Sequence, residues 1–231
     1  MPKISLIGNG KTGGAVERLL PPDEIAAVFN SKNPPTVEAL KNSDVAIVFV
    51  PGHVLNDLVP VLIQSAVPVV CGSTGFEWTM DVRRAVENSG ATWITASNFS
   101  MGMQWMFRMA REFRRLESQW AGSEAEIFEV HHIHKKDKPS GSALSIRQHY
   151  GKQIPIHSDR TGDVVGFHSL VLATASEKLM LSHHVEDRSV FARGAIWTAQ
   201  KLIEKRSRPQ DYPSGIFPLE DVFETWLNEG Q

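Results

Sequence analysis

Ile4-Ser5-Leu6-Ile7 runs into Gly8-Asn9-Gly10-Lys11-Thr12-Gly13-Gly14 and then into Ala15-Val16-Glu17-Arg18-Leu19-Leu20. The order is a short β-prone run, a G-x-G-x-x-G turn and a helix-forming segment. In such a unit the first glycine makes the tight turn and the second lets the backbone approach a pyrophosphate. The third lets the helix pack against the strand. The helix N-terminus, with its unpaired N–H groups, faces the anion. The string alone is common, and a glycine-rich βα turn without a ligand is the plain alternative. Its place at the end of the first strand favours a dinucleotide site, with Gly8, Asn9, Gly10, Lys11, Thr12 and Gly13 as candidate contacts.

Outward from this unit the alternation continues. Strands are expected over 24–30, 44–50, 67–71 and 91–95, and helices over 37–41, 55–65 and 80–89. The strand over 44–50 is continuously apolar, as a parallel sheet covered on both faces requires. This pattern predicts a doubly wound sheet with right-handed crossovers. The second strand leads into Asn30-Ser31-Lys32-Asn33, which lacks the acid that usually binds the ribose 2′-hydroxyl of NAD. Lys32 either pairs with a 2′-phosphate or is a solvated loop residue, so the expected cofactor is NADPH or NADH, with NADPH favoured or both used. Asn30, Ser31 and Lys32 join the candidate cofactor contacts. Two more loops fall at carboxyl ends of strands, where ligands of open α/β sheets bind. From these come Gly72, Ser73 and Thr74, and Ala96, Ser97, Asn98 and Phe99.

The period then changes. An amphipathic helix over 101–119 is followed by strand-like segments at 124–132, 163–173 and 178–185, and by helices over 190–205 and 219–228. The expected fold class is α/β: a Rossmann-type doubly wound parallel sheet with a second α+β substrate domain on a mostly antiparallel sheet. The expected division is 1–102 plus 189–231 for dinucleotide binding, and 103–188 for substrate binding and oligomerisation. With 231 residues, 42% of them hydrophobic, the chain can bury a sizeable core. Its net charge of −2 argues against non-specific nucleic-acid binding. No apolar run approaches the roughly 20 residues of a membrane span. The chain passes from Met1 directly into a strand-like segment and has one cysteine, Cys71. A cytoplasmic location is therefore expected.

Glu129 to Ala143 reads E-V-H-H-I-H-K-K-D-K-P-S-G-S-A, the densest group of titratable residues in the chain. Histidine changes charge near neutral pH, lysine supplies fixed positive charge, and a Ser-Gly-Ser turn offers N–H and hydroxyl donors. Together they suit an anionic substrate that gains or loses a proton. A His-His pair is often structural, and the adjoining lysines repel a cation, so no metal is expected. His134, Lys136 and Lys138 read as solvated, and His183-His184 completes no ligand pattern.

In this order the residues resemble the dihydrodipicolinate reductase (4-hydroxy-tetrahydrodipicolinate reductase) family, whose signature is E-x-H-H-x-x-K-x-D-x-P-S-G-T-A. Glu129, His131, His132, Lys135, Asp137, Pro139, Ser140, Gly141 and Ala143 stand in register, with Ser142 in place of threonine. Further matches are Gly72-Ser73-Thr74-Gly75, Asn98-Phe99-Ser100, Arg160 with Gly162-Asp163-Val164-Val165-Gly166 and His168, and Arg188 with Phe191-Ala192 and Gly194-Ala195. Departures are Lys11 and Thr12 for the usual Arg and Met, Lys138 for a frequent alanine, and Val48-Phe49-Val50-Pro51 without the usual aspartate. The resemblance implies reduction of a cyclic imine dicarboxylate in the diaminopimelate route to lysine. It implies His131 as proton donor and Lys135 as its helper. His132, Ser140, Gly141 and Ser142 are implied to hold substrate carboxylate, Asp137 and Pro139 to shape the loop, and the chain to be a homotetramer. Lys135 beside a charged His131 is expected to lower the pKa of both by repulsion. The alternatives are another two-domain NAD(P)-dependent dehydrogenase and a catalytically silent NAD(P)-binding relative.

Overall fold

Strand β1 (Ile4–Ile7) has all four residues buried, and its neighbours explain why. The computed structural model describes residues 1–206 and 213–228. In it β1 lies between β2 (Ile25–Phe29) and β3 (Val45–Val48), in a parallel sheet. The sheet continues through β4 (Val69–Cys71) and β5 (Thr92–Thr95) to β10 (Gly215–Pro218), giving the order β10-β5-β4-β3-β1-β2. Period-2 geometry then sorts the strand residues to two faces. Ile4, Leu6, Val45, Ile47 and Val70 enter one core, with residues of α1 (Lys11–Leu19), α7 (Ser189–Arg206) and α8 (Leu219–Asn228). Ile7, Ala46, Val48, Val69 and Cys71 enter the other, with residues of α2 (Val37–Leu40), α3 (Gly52–Ser65) and α4 (Met80–Asn88). Burial on both faces is why these strands carry no polar alternation. The expected α/β doubly wound sheet is present. Strand β10, with only Ile216 and Phe217 as apolar β-formers, had no readable signal.

The chain divides into two compact units, Met1–Phe99 with the chain from Ser189 onward, and Ser100–Arg188. The second unit is built on a four-stranded sheet in the order β7-β6-β8-β9. These strands are β6 (Glu124–His131), β7 (Ile156–Arg160), β8 (Gly166–Ala173) and β9 (Lys178–Val185). Strands β6, β8 and β9 run antiparallel, while β7 joins β6 in parallel. Helices α5 (Met101–Glu117) and α6 (Gly141–Tyr150) supply Met103, Met106, Phe107, Ala143, Ile146 and Tyr150 to a core with Ile127, Leu170 and Leu172. Both α6 and β7 are additions to the sequence expectation. β7 reads I-H-S-D-R with one apolar residue, and α6 opens with Gly-Ser inside what reads as a turn. The helix begins because Ser140 caps it, its Oγ accepting from Ala143 N at 3.2 Å, and it ends at Gly151 with φ of 77°.

Candidate active site

Along β6 the helix-covered face changes character. Ala125 and Ile127 are apolar, but the next two buried positions on that face are Glu129 and His131. The strand register carries the change across the sheet. Ile156, Ile127, Leu170 and Leu181 form an apolar row, and two residues further Ser158, Glu129, His168 and His183 form a polar one. One end of the sheet is thus core and the other a buried polar cluster.

Glu129, 1% exposed, is the hub. Its carboxylate accepts from Arg160 Nη1 at 3.0 Å and from Ser140 N at 3.2 Å, and it binds His131 Nδ1. Arg160 also donates to the main-chain oxygens of Asp137 and Asp159. The His168 ring lies edge-on to His131 with centroids 5.0 Å apart, and its Nε2 is 3.1 Å from Ser140 Oγ. A side chain at Gly166 would come within 3.3 Å of His131 Nε2, so this glycine faces the nitrogen that Glu129 does not hold.

Burial would raise the Glu129 carboxyl, but the neighbouring Ser158 hydroxyl, Arg160 and His131 outweigh it and hold the group below the ordinary carboxylate range. His131 is lowered from its ordinary value, mainly by burial, with Lys135 and Arg160 adding to that and Glu129 opposing it. Repulsion from Lys135 was the expected cause; burial is the larger one. His168 is pushed down to about 3 by burial and by the charge of His131, and is therefore neutral at working pH.

After His131 the chain leaves the sheet. Lys135 Nζ pairs with Asp137 Oδ1 at 2.8 Å, and this contact lowers the Asp137 carboxyl. Asp137 therefore does more than shape the loop. His132 Nε2 lies 3.2 Å from Arg188 Nη2. His134, Lys136 and Lys138 are exposed. Gly141 and Ser142 open the first turn of α6, and nothing lies within 4 Å of where a Gly141 side chain would start. Ser140, expected among the substrate-binding residues, already has two partners in the protein. It is 1% exposed, and its hydroxyl is shared between the helix cap and His168. Glu129, Arg160, His168 and Arg188 had matched the family pattern without being given roles. For Glu129 the available signal was a carboxylate at a core position of an alternating strand.

In the first unit the glycine loop has distinct tasks for its members. Gly8 has φ of +94°, and a Cβ there would meet Phe49 O at 2.2 Å. A Cβ on Gly13 would lie 1.8 Å from Gly8 O, so helix and strand need that glycine. At Gly10 nothing lies within 4 Å, and no side chain caps α1. A cavity of about 420 Å³ opens here, lined by Gly8, Asn9, Gly10, Asn30, Ser31 and Phe49 among others. An open glycine and an uncapped helix N-terminus fit a dinucleotide pyrophosphate. Lys11 and Thr12 sit in the first turn of α1, and exposed Lys32 lies in a turn whose N–H groups bind Asn30 Oδ1. The remaining candidates are not part of this lining. Gly72 packs on the Phe49 ring, Ser73 Oγ accepts from Val50 N at 3.4 Å, and Thr74 O accepts from Gly52 N. Ala96 N donates to Cys71 O, Ser97 is exposed and Asn98 half-buried. The Phe99 ring is 2% exposed, in the core against Phe49, so any cofactor contact from this residue falls to its main chain.

A larger cavity, about 550 Å³, lies at the apolar end of the second sheet around Glu117, Glu124 and Lys152. Glu117 and Lys152 pair there at 2.7 Å. Glu129, His131 and His168 place possible ligand atoms within 4.8 Å of one another. The Arg160 guanidinium already occupies the cation's position against Glu129, which makes these three a poor metal set.

Residues 102–223, just over half of the chain, match the family described as "Dihydrodipicolinate reductase, C-terminus". A 4-hydroxy-tetrahydrodipicolinate reductase of Methanoregula boonei is 30% identical over 217 residues, covering 85% of this chain and 81% of the relative. That of Christiangramia forsetii is 28% identical and covers 95% and 96%. Among solved structures, a dipicolinate-bound dihydrodipicolinate reductase from Paenisporosarcina sp. TG-14 superimposes with a TM-score of 0.75 at 20% identity, covering 96% of this chain and 99% of that one. An engineered D-amino acid dehydrogenase bound to NADP+ gives 0.55 at 12% identity, covering 95% and 93%. These two likenesses concern the fold. On the family match and the curated relatives, the chain belongs to the dihydrodipicolinate reductase family.

Proposed function

We propose that this protein reduces 4-hydroxy-tetrahydrodipicolinate to tetrahydrodipicolinate with NADPH or NADH, in the diaminopimelate route to lysine. The carrying observation is the buried His131, bonded on one nitrogen to Glu129 and open on the other toward Gly166, in a family whose members bear this activity. Reduction of a conjugated cyclic imine adds a hydride and a proton. When bound, the reduced nicotinamide supplies the hydride. His131 donates the proton from Nε2, and a general acid of this kind contributes about 10²–10⁴-fold. The N–H groups of Gly141 and Ser142 at the start of α6 bind one substrate carboxylate. Lys135 and the His132–Arg188 pair supply positive charge for the rest of the dianion. The Paenisporosarcina protein was solved with dipicolinate, an anion of the same class.

The first unit is assigned to nucleotide binding, with Gly8, Asn9, Gly10, Lys11, Thr12 and Gly13 at the pyrophosphate and Asn30, Ser31 and Lys32 at the adenosine ribose. No carboxylate stands at the end of β2 to repel a 2′-phosphate, which supports use of NADPH. The second unit is assigned to substrate binding and to assembly as a homotetramer. Phe128, Val130 and Phe167 are only half-buried on the sheet face opposite the helices, and Met180 beside them is 58% exposed. Among the described residues no helix is long and apolar enough to cross a membrane, and the proposed location is cytoplasmic. The deciding assay mixes the protein with a dihydrodipicolinate synthase, pyruvate and aspartate semialdehyde and follows oxidation of each nicotinamide. Absence of oxidation with both would sink the reductase reading.

A further inference from the structure

The charged groups behind His131 form a closed set. Glu129 is buried on β6 and faces Arg160 from β7, the Ser140 N–H from the start of α6, and His131 from its own strand. From β8 comes only the edge of His168, and the nearby loop brings Lys135, which is paired with Asp137. A carboxylate this buried is unfavourable unless its partners satisfy it, and here both oxygens are engaged. Neither Glu129 nor the Arg160 nitrogen that binds it has any remaining need of a substrate.

We propose that Glu129 is the positioning residue of His131, and that Arg160 is the fixed cation that keeps Glu129 an anion while tying the Lys135 loop to the sheet. This rests on the reading of His131 as proton donor. Glu129 accepts the Nδ1–H, so the ring presents Nε2 toward Gly166, where the absent side chain leaves room. The protonated ring is stabilised by the carboxylate behind it. On reaction the Nε2–H bond breaks, the proton passes to the reduced ring of the substrate, and a neutral imidazole protonated on Nδ1 remains. Glu129 stays ionised throughout, and solvent restores the proton. The Arg160 fork also holds the Asp137 main chain, so one guanidinium sets both the acid and the loop that carries Lys135.

The test is Glu129→Gln, which keeps length and an acceptor for Arg160 and Ser140 but removes the charge. We expect kcat to fall about 100-fold with KM nearly unchanged, and the alkaline limb of the kcat profile to move to lower pH by about one unit. Labelled-histidine NMR of the unliganded protein, with His131 assigned through His131→Asn, should show its titration midpoint falling in parallel. Glu129→Asp, which keeps the charge but shortens its reach to His131 Nδ1, should shift both readouts in the same direction by less, and it carries the test if Glu129→Gln does not fold. Arg160→Lys, which loses the fork, should lower kcat with the His131 midpoint unmoved or raised, because Arg160 itself depresses His131. In the Glu129 variants an unchanged His131 titration, or a fall in kcat without movement of the alkaline limb, would overturn the assignment. Lack of turnover in the unmodified protein would instead reject the reductase reading, and the NMR titration would still decide the coupling of Glu129 to His131.

Discussion

His131 is an ordinary histidine made useful by what lies on either side of it. Glu129 takes one nitrogen, Gly166 leaves the other open, and burial depresses its affinity for a proton. Replacing it by Gln should lower kcat about 10²–10⁴-fold. KM for the dicarboxylate should change little, as steady-state kinetics would show; a loss confined to KM would contradict its role as acid. The glycines of the first loop make a second residue-scale contrast. Gly8→Ala combines φ of +94° with a Cβ 2.2 Å from Phe49 O, so it should destabilise the fold by about 1–3 kcal/mol. Gly10→Ala meets nothing within 4 Å. It should keep the wild-type melting temperature and lose nicotinamide nucleotide affinity, which thermal melts and titration calorimetry would separate.

At the scale of the element, α6 shows how one serine ties local structure to the site. Ser140 ends the loop, caps the helix and touches His168, while its N–H binds Glu129. Ser140→Ala should cost about 1 kcal/mol in urea unfolding through the lost cap. The effect on KM should be smaller than for changes at Ser142, since the Ser140 hydroxyl already serves the cap and His168. The turn after β2 carries the cofactor preference. Lys32→Ala should raise KM for NADPH several-fold, on the order of one lost charge-assisted contact, and leave KM for NADH unchanged. Equal effects on both would remove Lys32 from the 2′-phosphate.

Over the whole molecule, the buried histidines set a limit in acid. His168 has a folded pKa of about 3 against an ordinary 6.5. Below 6.5 the unfolded chain takes up a proton that the folded protein refuses. Stability from this group is therefore complete above 6.5 and is lost as pH falls toward 3, by at most about 5 kcal/mol. His183, also lowered by burial, acts in the same direction. The lowered carboxyls of Glu129 and Asp137 add a further loss below their ordinary values of 4.5 and 3.8. Urea midpoints should fall steadily through weakly acidic pH, and His168→Gln should flatten the upper part of that slope. A flat profile between neutrality and 4.5 would show that His168 is charged in the folded state.

The sequence by itself determined the parallel sheet, because strands buried on both faces must be apolar and a nucleotide loop must be glycine at set intervals. It also determined His131 and Lys135 as candidates, since an ordered motif survives without coordinates. Strand β7, helix α6 and strand β10 were not readable, because their short segments carry few apolar residues and their stability comes from pairing and a cap. Only the tertiary structure decided that Glu129 and Arg160 stand behind His131. Arg160 lies 31 residues beyond Glu129 along the chain, and parallel pairing of β7 with β6 places it opposite His131. It likewise decided that Ser140 and Phe99 are buried. Which side chain meets which depends on strand register and burial, and neither is written in the local pattern of residues.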